Sequence, residues 1–316
     1  MTAYDVLVPG DYFCDVVFSG VPRMPTLGTE IYTEGLTVTV GGALNTVFAL
    51  HRLGLKVGWI ARLGTDVFSR LTLEAVEREG IDTTLVHRLD HAFQRVTVSL
   101  SFPNDRAFVT YVDRDRGIFD LARSVLERVA YRHLHFAGLV TDPHTAALFD
   151  VAHARGAQVS MDCQDNPSTL ADAGVCAALQ RVDLFLPNAI EAERLTGAPT
   201  VAAAGPRLLS HAPCVVVKDG PDGAWLWTRD RSLHGAALPI TPIDTTGAGD
   251  VFNAGFLTAW IEGRDLSDCL RWGNICGGLS TQGYGGAASS PERAVVERLL
   301  ADDGTAAVTA LSTGSI

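Results

Sequence analysis

The stretch Asp244-Thr245-Thr246-Gly247-Ala248-Gly249-Asp250-Val251-Phe252-Asn253-Ala254-Gly255-Phe256 constrains this chain more than any other. It begins small and Gly-rich and then turns apolar at helical spacing. Thr246 is predicted to cap a helix whose first turn is Gly247-Ala248-Gly249. Side chains this small leave the first backbone N–H groups open, and those groups together with the helix dipole make an anion site. Asp250 then stands beside the anion that the turn would hold. A carboxylate next to bound phosphate is repulsive, so its presence asks for a reason. The simplest is a base that takes a proton from a hydroxyl attacking that phosphate. Taken one feature at a time, the same residues also describe an ordinary helix start with a capping Thr and a solvated Asp.

The 316 residues can bury a full core, as one large domain or one domain with an appendage. An apolar fraction of 47% belongs to a globular protein and not to a disordered one. The net charge of −11 disfavours a nucleic-acid groove or an anionic membrane surface as the main partner. Against that background a phosphorylated ligand needs local positive charge. No apolar run reaches the roughly 18 residues that span a bilayer, and Met1–Asp5 lacks the basic start of a signal peptide. The six cysteines (14, 163, 176, 214, 269 and 276) form no C-x-x-C pair. They read as reduced core residues of a cytoplasmic protein.

Along the chain, Tyr4 to Val8 is a short apolar strand ending at Pro9-Gly10. Residues 30–40, 95–100 and 107–112 alternate β-branched and polar residues and read as strands with one wet face. Pro103-Asn104-Asp105 reads as a hairpin turn between the last two. Together they predict a small flap of strands drawn from about 11–40 and 93–113, standing apart from the rest. From Lys56 onward strands and helices alternate, with strands at 58–63, 133–137, 157–162, 183–186 and 214–218 and helices at 66–79, 143–155 and 170–180. That order predicts an α/β fold, a doubly wound and mostly parallel central sheet with helices on both faces. Ligands of such sheets bind outside the carboxyl ends of the strands, where Asp162, Asn188 and Lys218 are predicted to sit. Gly304 to Ile316 reads as a frayed end.

Three further segments carry polar groups at suggestive places. In Gly41-Gly42-Ala43-Leu44-Asn45 the glycines let backbone approach a ligand, and Asn45 offers a donor and an acceptor. An ordinary strand-to-helix turn reads the same way. Asn188-Ala189-Ile190-Glu191 puts Glu191 on a first helical turn, where a carboxylate can hold Mg2+ through its waters or simply favour the helix dipole. Lys218 opens a tight turn containing Gly220 and Gly223, and pairs with phosphate or stays solvated. There is no Gly-Lys dipeptide and no G-x-G-x-x-G, which excludes a P-loop.

As a set these motifs resemble those of the ribokinase-like (PfkB) carbohydrate kinases, over nearly the whole chain treated as one domain, 1–316. The likeness is strongest at 244–256, good at 188–197 and imperfect at 41–54. It implies a ribokinase-like fold with a small β-sheet lid, and transfer of phosphate from ATP to a primary hydroxyl of a small sugar. By resemblance, Gly247, Ala248 and Gly249 form the anion hole and Asp250 is the catalytic base. Asp15, Gly41, Gly42 and Asn45 would bind the sugar. Asn188, Lys218, Gly220, Gly223 and Asn274 would border the nucleotide, and Glu191 would hold Mg2+ through water. Asp244 and Ser289, the latter in the 283–291 loop, would hold a monovalent cation such as K+. The lid would cover the sugar and form a homodimer interface.

The resemblance also has departures. The family's two glycines are usually three residues before the Asn, but only two residues separate Gly42 from Asn45, so Val40 takes the first Gly position. Ribose-specific relatives commonly carry a Glu after the strand equivalent to 133–137, where this chain has Gly138-Leu139-Val140-Thr141-Asp142. Arg95, Arg106 and Arg114, on or near the lid strands, suit a carboxylate or phosphate on the sugar, or are edge charges that discourage strand pairing. Phe93, Phe102 and Phe108 suit a stacked nucleobase, as in a nucleoside kinase, or simple packing. A non-catalytic sugar- or nucleotide-binding protein on the same fold is the third reading.

Overall fold

The alternation of short β-branched runs with amphipathic stretches resolves into two sheets. The computed structural model describes residues 3–102, 106–113, 117–283, 285–301 and 306–310. Chain order is β1 (Ala3–Pro9), β2 (Tyr12–Ser19), β3 (Gly35–Gly42), α1 (Ala43–Arg52), β4 (Val57–Leu63), α2 (Val67–Arg78), β5 (Val86–Arg88), β6 (Arg95–Ser101), β7 (Arg106–Val112) and α3 (Gly117–Arg128). Then come β8 (Ala130–Phe136), α4 (Pro143–Ala154), β9 (Gln158–Asp162), α5 (Ala173–Leu179), β10 (Leu184–Leu186), α6 (Ala189–Thr196) and α7 (Val201–Leu209). The last third holds β11 (Cys214–Lys218), β12 (Ala224–Thr228), β13 (Ser232–Gly235), α8 (Ala248–Ile261), α9 (Leu266–Ser280), α10 (Arg293–Leu300) and β14 (Val308–Ala310).

The main sheet runs β14-β13-β12-β11-β10-β9-β8-β1-β4-β5. Its strands pair in parallel from β5 to β11, and β12 to β14 close one edge antiparallel. Side chains of β1 alternate between two cores: Val6 and Val8 join the cluster around Trp59 and Trp272, and Leu7 the cluster around Phe149 and Phe185. Because helices cover both faces, β4 is buried at every position.

The second sheet, β3-β2-β6-β7, is the expected flap. Its outer pairs are antiparallel and its central pair, β2 with β6, is parallel. The sequence pattern suggested a strand from residue 30, but β3 starts at Gly35. Pairing ends at Ser19↔Gly35, and the chain leaves β2 through Gly20 at φ 66, so residues 30–34 have no strand to pair with. The strand period sorts the flap into two faces. Asp15, Thr39, Arg95, Thr97, Ser99 and Arg106 share one, and Val16, Leu36, Val38, Val98, Val109 and Tyr111 share the other. The polar face carries the contacts to the main body described below, whereas Leu36, Val38, Val109 and Tyr111 are exposed.

Other boundaries shift for local reasons. The helix predicted at 170–180 starts at Ala173, because Thr169 to Asp172 forms a turn closed by Asp172 N to Thr169 O at 3.0 Å. Within the segment expected to fray, Val308–Ala310 pairs with β13 as an edge strand. The Pro103-Asn104-Asp105 turn and Arg114 lie outside the described residues.

One buried feature gives a stability prediction. His133 Nε2 and His135 Nδ1 flank the Ser160 hydroxyl at 2.7 and 2.8 Å, and burial pushes both imidazoles down to about 3. Each protonates near 6.5 in the unfolded chain but stays neutral when folded. The unfolded state therefore binds more protons, and stability falls as pH drops from about 6.5 toward 3, by roughly 1.4 kcal/mol per pH unit for each histidine. Urea midpoints should drop steeply between pH 7 and pH 5, and the slope should flatten in His133→Asn. An unchanged slope in that variant would assign the acid lability elsewhere.

Candidate active site

The central motif folds as a glycine turn into a helix, but not with the expected cap. Helix α8 starts at Ala248 with Gly247 as its N-cap at φ 70, a backbone that glycine adopts without strain. A Cβ on Gly247 would also lie 2.7 Å from the Gly286 Cα. Thr246 does not cap the helix; its hydroxyl turns back to Asp244 Oδ1 at 2.7 Å. Among the described residues, the N–H groups of Gly249 and Asp250 meet no acceptor. They are the open donors that small side chains at this turn predict.

Asp250 sits on that first turn. Its Oδ2 accepts from Asn45 Nδ2 at 3.0 Å and its Oδ1 from Thr46 Oγ1 at 3.5 Å. Burial, and then the charge of Asp162, push its carboxyl up to about 7, against the opposing pull of Asn45 and Lys218. Asn45 Oδ1 also accepts from Ala287 N at 3.1 Å. Asn45 thus clamps the Asp250 carboxylate to the loop after α9.

Below Asp250 lies a network that motif reading had left as separate residues. Lys218 Nζ, at the end of β11, donates to Asp162 Oδ1 and Oδ2 at 2.9 and 3.0 Å and to Asn253 Oδ1 at 3.2 Å. Asn253 Nδ2 donates to Asp162 Oδ2 at 2.6 Å. Lys218 is therefore paired within the protein, where the sequence suggested phosphate or solvent. Asn253 was given no role; its one signal was a polar residue three positions after Asp250 in an otherwise apolar run. Asn188 and Glu191 hold each other in a capping box, with Glu191 N to Asn188 Oδ1 at 2.9 Å and Asn188 N to Glu191 Oε2 at 2.8 Å. Burial and the charge of Asp162 raise the Glu191 carboxyl.

Two cavities of about 320 Å³ each approach this centre. The first has a mostly apolar wall, with Leu238, Ile240 and Phe252, and reaches Lys218, Gly249 and Asn274. Gly220 and Gly223 line it too, whereas Asn188 does not. Helix α9 contributes Gly277 and Gly278 to its wall; a Cβ on Gly278 would lie 2.8 Å from Leu238. The Asn274 amide donates to Gly235 O at 3.0 Å, which ties α9 to β13.

The second cavity runs under the lid from Gly42 to the carboxyl ends of β8 and β9, past Asp11, Phe13, Arg95, Gly138 and Gln164. Asp15 stands beside it against Gly41, where a Cβ would lie 2.1 Å from its Oδ2. Burial pushes the Asp15 carboxyl up to about 6, and no donor reaches it among the described residues. The phenylalanines of the lid region differ in access. Phe93 is buried beneath the Arg62 and Arg95 guanidiniums, and Phe108 is exposed on the lid.

Asp244 differs most from expectation. Its Oδ1 accepts from Arg106 at 2.8 Å, from Thr246 N at 2.9 Å and from the Thr246 hydroxyl, and its Oδ2 accepts from Gly285 N at 3.0 Å. Arg106 also reaches the hydroxyls of Thr245 and Thr246. Burial pushes the Asp244 carboxyl up, but the bonds from Gly285 and Thr246 and the charge of Arg106 outweigh it and leave it low. Three of the four donors crowd Oδ1 and one reaches Oδ2, and the Arg106 guanidinium already balances the charge of the carboxylate, which disfavours a monovalent cation at Asp244. Ser289 caps the same loop through its N–H to Gly285 O at 3.1 Å.

Comparison with known proteins agrees with this fold. Residues 24–293 match the model of the pfkB family carbohydrate kinases. An uncharacterized sugar kinase of Archaeoglobus fulgidus is 28% identical over 262 residues, covering 77% of this chain and 98% of that protein. The 2-dehydro-3-deoxygluconokinase of Bacillus subtilis is 26% identical over 281 residues, covering 83% and 85%. Among solved structures, a PfkB protein from Polaromonas sp. JS666 is 27% identical with a TM-score of 0.74, covering 93% of this chain and 99% of that one. Arabidopsis thaliana ribokinase complexed with ribose and ATP has the same fold, with a TM-score of 0.78 at 21% identity and coverage of 95% and 99%. With the glycine turn, the buried carboxylate and the lid in place, the chain belongs to the pfkB family of carbohydrate kinases.

Proposed function

We propose that this chain, working as one catalytic unit, transfers the γ-phosphate of ATP to a primary hydroxyl of a small sugar or sugar derivative. The observation that carries the reading is Asp250, held by Asn45 and Thr46 beside unclaimed N–H groups and pushed up to about 7. The apolar cavity takes the adenine, and its Lys218 end faces the phosphates. The Gly247–Gly249 turn stabilises the charge on the transferring group. Asp250 takes the proton of the attacking hydroxyl, and a base titrating near neutrality suits that task. The lid closes over the sugar and excludes water.

Burial and the charge of Asp162 raise the Glu191 carboxyl above its ordinary range, which the charge of a divalent cation would relieve. Glu191 would hold Mg2+ through water, and the ion would neutralise phosphate charge. The Arg106 guanidinium, which already balances the Asp244 charge, speaks for K+-independent turnover. The exposed apolar face of the lid, Leu36, Val38, Val109 and Tyr111, supports a homodimer through the lid. Sedimentation should show a dimer that Val109→Asp converts to monomer; a wild-type monomer would remove that part of the reading. The free cysteines, mostly buried, fit a reducing cytoplasm.

The test is ADP release with ATP and Mg2+ against free sugars, sugar acids, sugar phosphates and nucleosides, with and without K+. Selective turnover of one sugar class at equal rates in K+ and Na+ is expected. Selective turnover of nucleosides would replace the sugar by a nucleoside. No turnover, with thermal stabilisation by one compound, would make this a binding protein.

A further inference from the structure

The wall of the cavity under the lid holds a strained residue. Gln164 follows β9 at φ 54, in the left-handed region, and lines that cavity. Among the described residues only Ala306 shares a positive φ without being glycine. Asparagine and aspartate visit this region more readily than glutamine does, and glycine visits it at no steric cost. Such strain persists only where the surroundings over-determine it. Here Cys163, the residue before, is buried; its N–H donates to Asp162 Oδ1 at 2.7 Å and its carbonyl accepts from Leu139 N at 2.9 Å. Asp162 is held in turn by Lys218 and Asn253. The chain is thus pinned to the main sheet right up to the residue that turns.

What the strained backbone does is place an amide. Gly138, just beyond β8, lines the same cavity, and a Cβ on it would lie 3.1 Å from Gln164 Oε1 and 3.4 Å from its Cδ. The Gln164 amide therefore occupies the space that a side chain at 138 would crowd. Gln164 is exposed, and its amide meets no hydrogen-bond partner among the described residues. Asp142, Thr145 and Asp11 of this cavity are engaged by contrast. Thr145 Oγ1 donates to Asp142 Oδ2 at 2.6 Å, and Arg62 donates to Asp11 Oδ2 at 2.8 Å. Packing gives an exposed residue no reason to be a left-handed glutamine where glycine or asparagine would sit with less strain.

We propose, resting on the kinase reading above, that Gln164 is a specificity-determining residue whose side-chain amide receives a hydroxyl of the phosphate acceptor. A primary amide offers an acceptor and donors together. A hydroxyl satisfies both at once. A carboxylate or a phosphate dianion only accepts, and would leave Gln164 Oε1 without a donor. The ligand group opposite Gln164 is therefore a neutral hydroxyl, and the bare Gly138 keeps room for the amide that reads it.

The test follows ADP release from ATP and Mg2+ with ribose, fructose, glucose and gluconate, each beside its monodeoxy analogues, and with the sugar phosphates and nucleosides of the panel above. The wild type should favour a parent compound over the analogue lacking the hydroxyl that Gln164 reads by about tenfold in kcat/KM. Gln164→Ala keeps the left-handed backbone and removes the amide. It should lose about tenfold in kcat/KM for the parent through a raised acceptor KM, leave the KM for ATP unchanged, and treat parent and analogue alike. Gln164→Gly should lose as much activity yet melt about 2 °C above Gln164→Ala, because it also relieves the strain. Gln164→Asn, which suits this backbone and carries a shorter amide, should fall between, and it decides the matter should Gln164→Ala fail to fold. Wild-type kcat/KM in the variants overturns the inference and leaves the kinase reading standing. So does a KM for ATP that rises along with that for the acceptor, or a Gln164→Gly protein no more stable than Gln164→Ala. Turnover of no compound of any class by the wild type overturns the kinase reading itself.

Discussion

Asp250→Asn is expected to lower kcat by about a thousandfold or more, because removing a positioned base forfeits its general-base contribution. Nucleotide and sugar affinities should change little, since Asn keeps the shape and an acceptor for Asn45 Nδ2. The same change should raise thermal stability at alkaline pH. The sign follows from the folded-state pKa of about 7, well above the ordinary 3.8 of a carboxylate. The folded state prefers the protonated carboxyl, so that stability is fully present below about pH 4 and is lost as pH rises through 7. Asn does not ionise and avoids the loss. Melting curves of the two proteins should therefore diverge at pH 8 and converge near pH 4. Wild-type kcat should rise with pH through the same region as the base loses its proton. A variant that keeps a tenth of the activity, or one that no longer binds ATP, would remove Asp250 from the role of base.

Lys218→Met should be the most destabilising single change near the site. Lys218 and Asp162 are only 10% and 6% exposed at the side chain. Removing one member leaves a buried carboxylate beside Glu191 and Asp250 with no opposing charge, which costs about 3–5 kcal/mol. The charge of Lys218 also pulls Asp250 down, so residual activity should require a higher pH. The double variant with Asp162→Asn should recover much of the stability, since the charge left unpaired is then gone. Urea unfolding of the wild type, Lys218→Met and the double variant measures this. A loss under about 1 kcal/mol in Lys218→Met would mean that water or a rearranged Asn253 compensates Asp162.

What the sequence made legible was local. The Gly247–Gly249 turn with Asp250 follows from small residues before an apolar helix, and the parallel sheet follows from alternating strand and helix patterns. The Asn188/Glu191 pair was placed on the right turn because N-capping acts over three residues. What stayed hidden joins residues far apart in the chain. Arg106 on Asp244, Asn45 on Asp250 and Asn253 on Asp162 are contacts that no local pattern announces. Thr246 looked like a cap because local propensity favours it, and Asp244 and Arg106 outcompete the helix for its hydroxyl. The strand predicted from residue 30 had the right alternation, but β2 ends before it can be paired.

The clamp on Asp250 has a consequence for how the molecule is made. Its carboxylate is positioned by Asn45 and Thr46, raised by Asp162, and fixed through Asn45 to Ala287. During synthesis the lid strands, Arg95 and the wall of the acceptor cavity leave the ribosome long before residue 287 does. On the proposed reading, a half-made chain therefore has no positioned Asp250 carboxylate to take the proton of an attacking hydroxyl. The clamped centre comes into being only when the C-terminal segment closes back onto the N-terminal one.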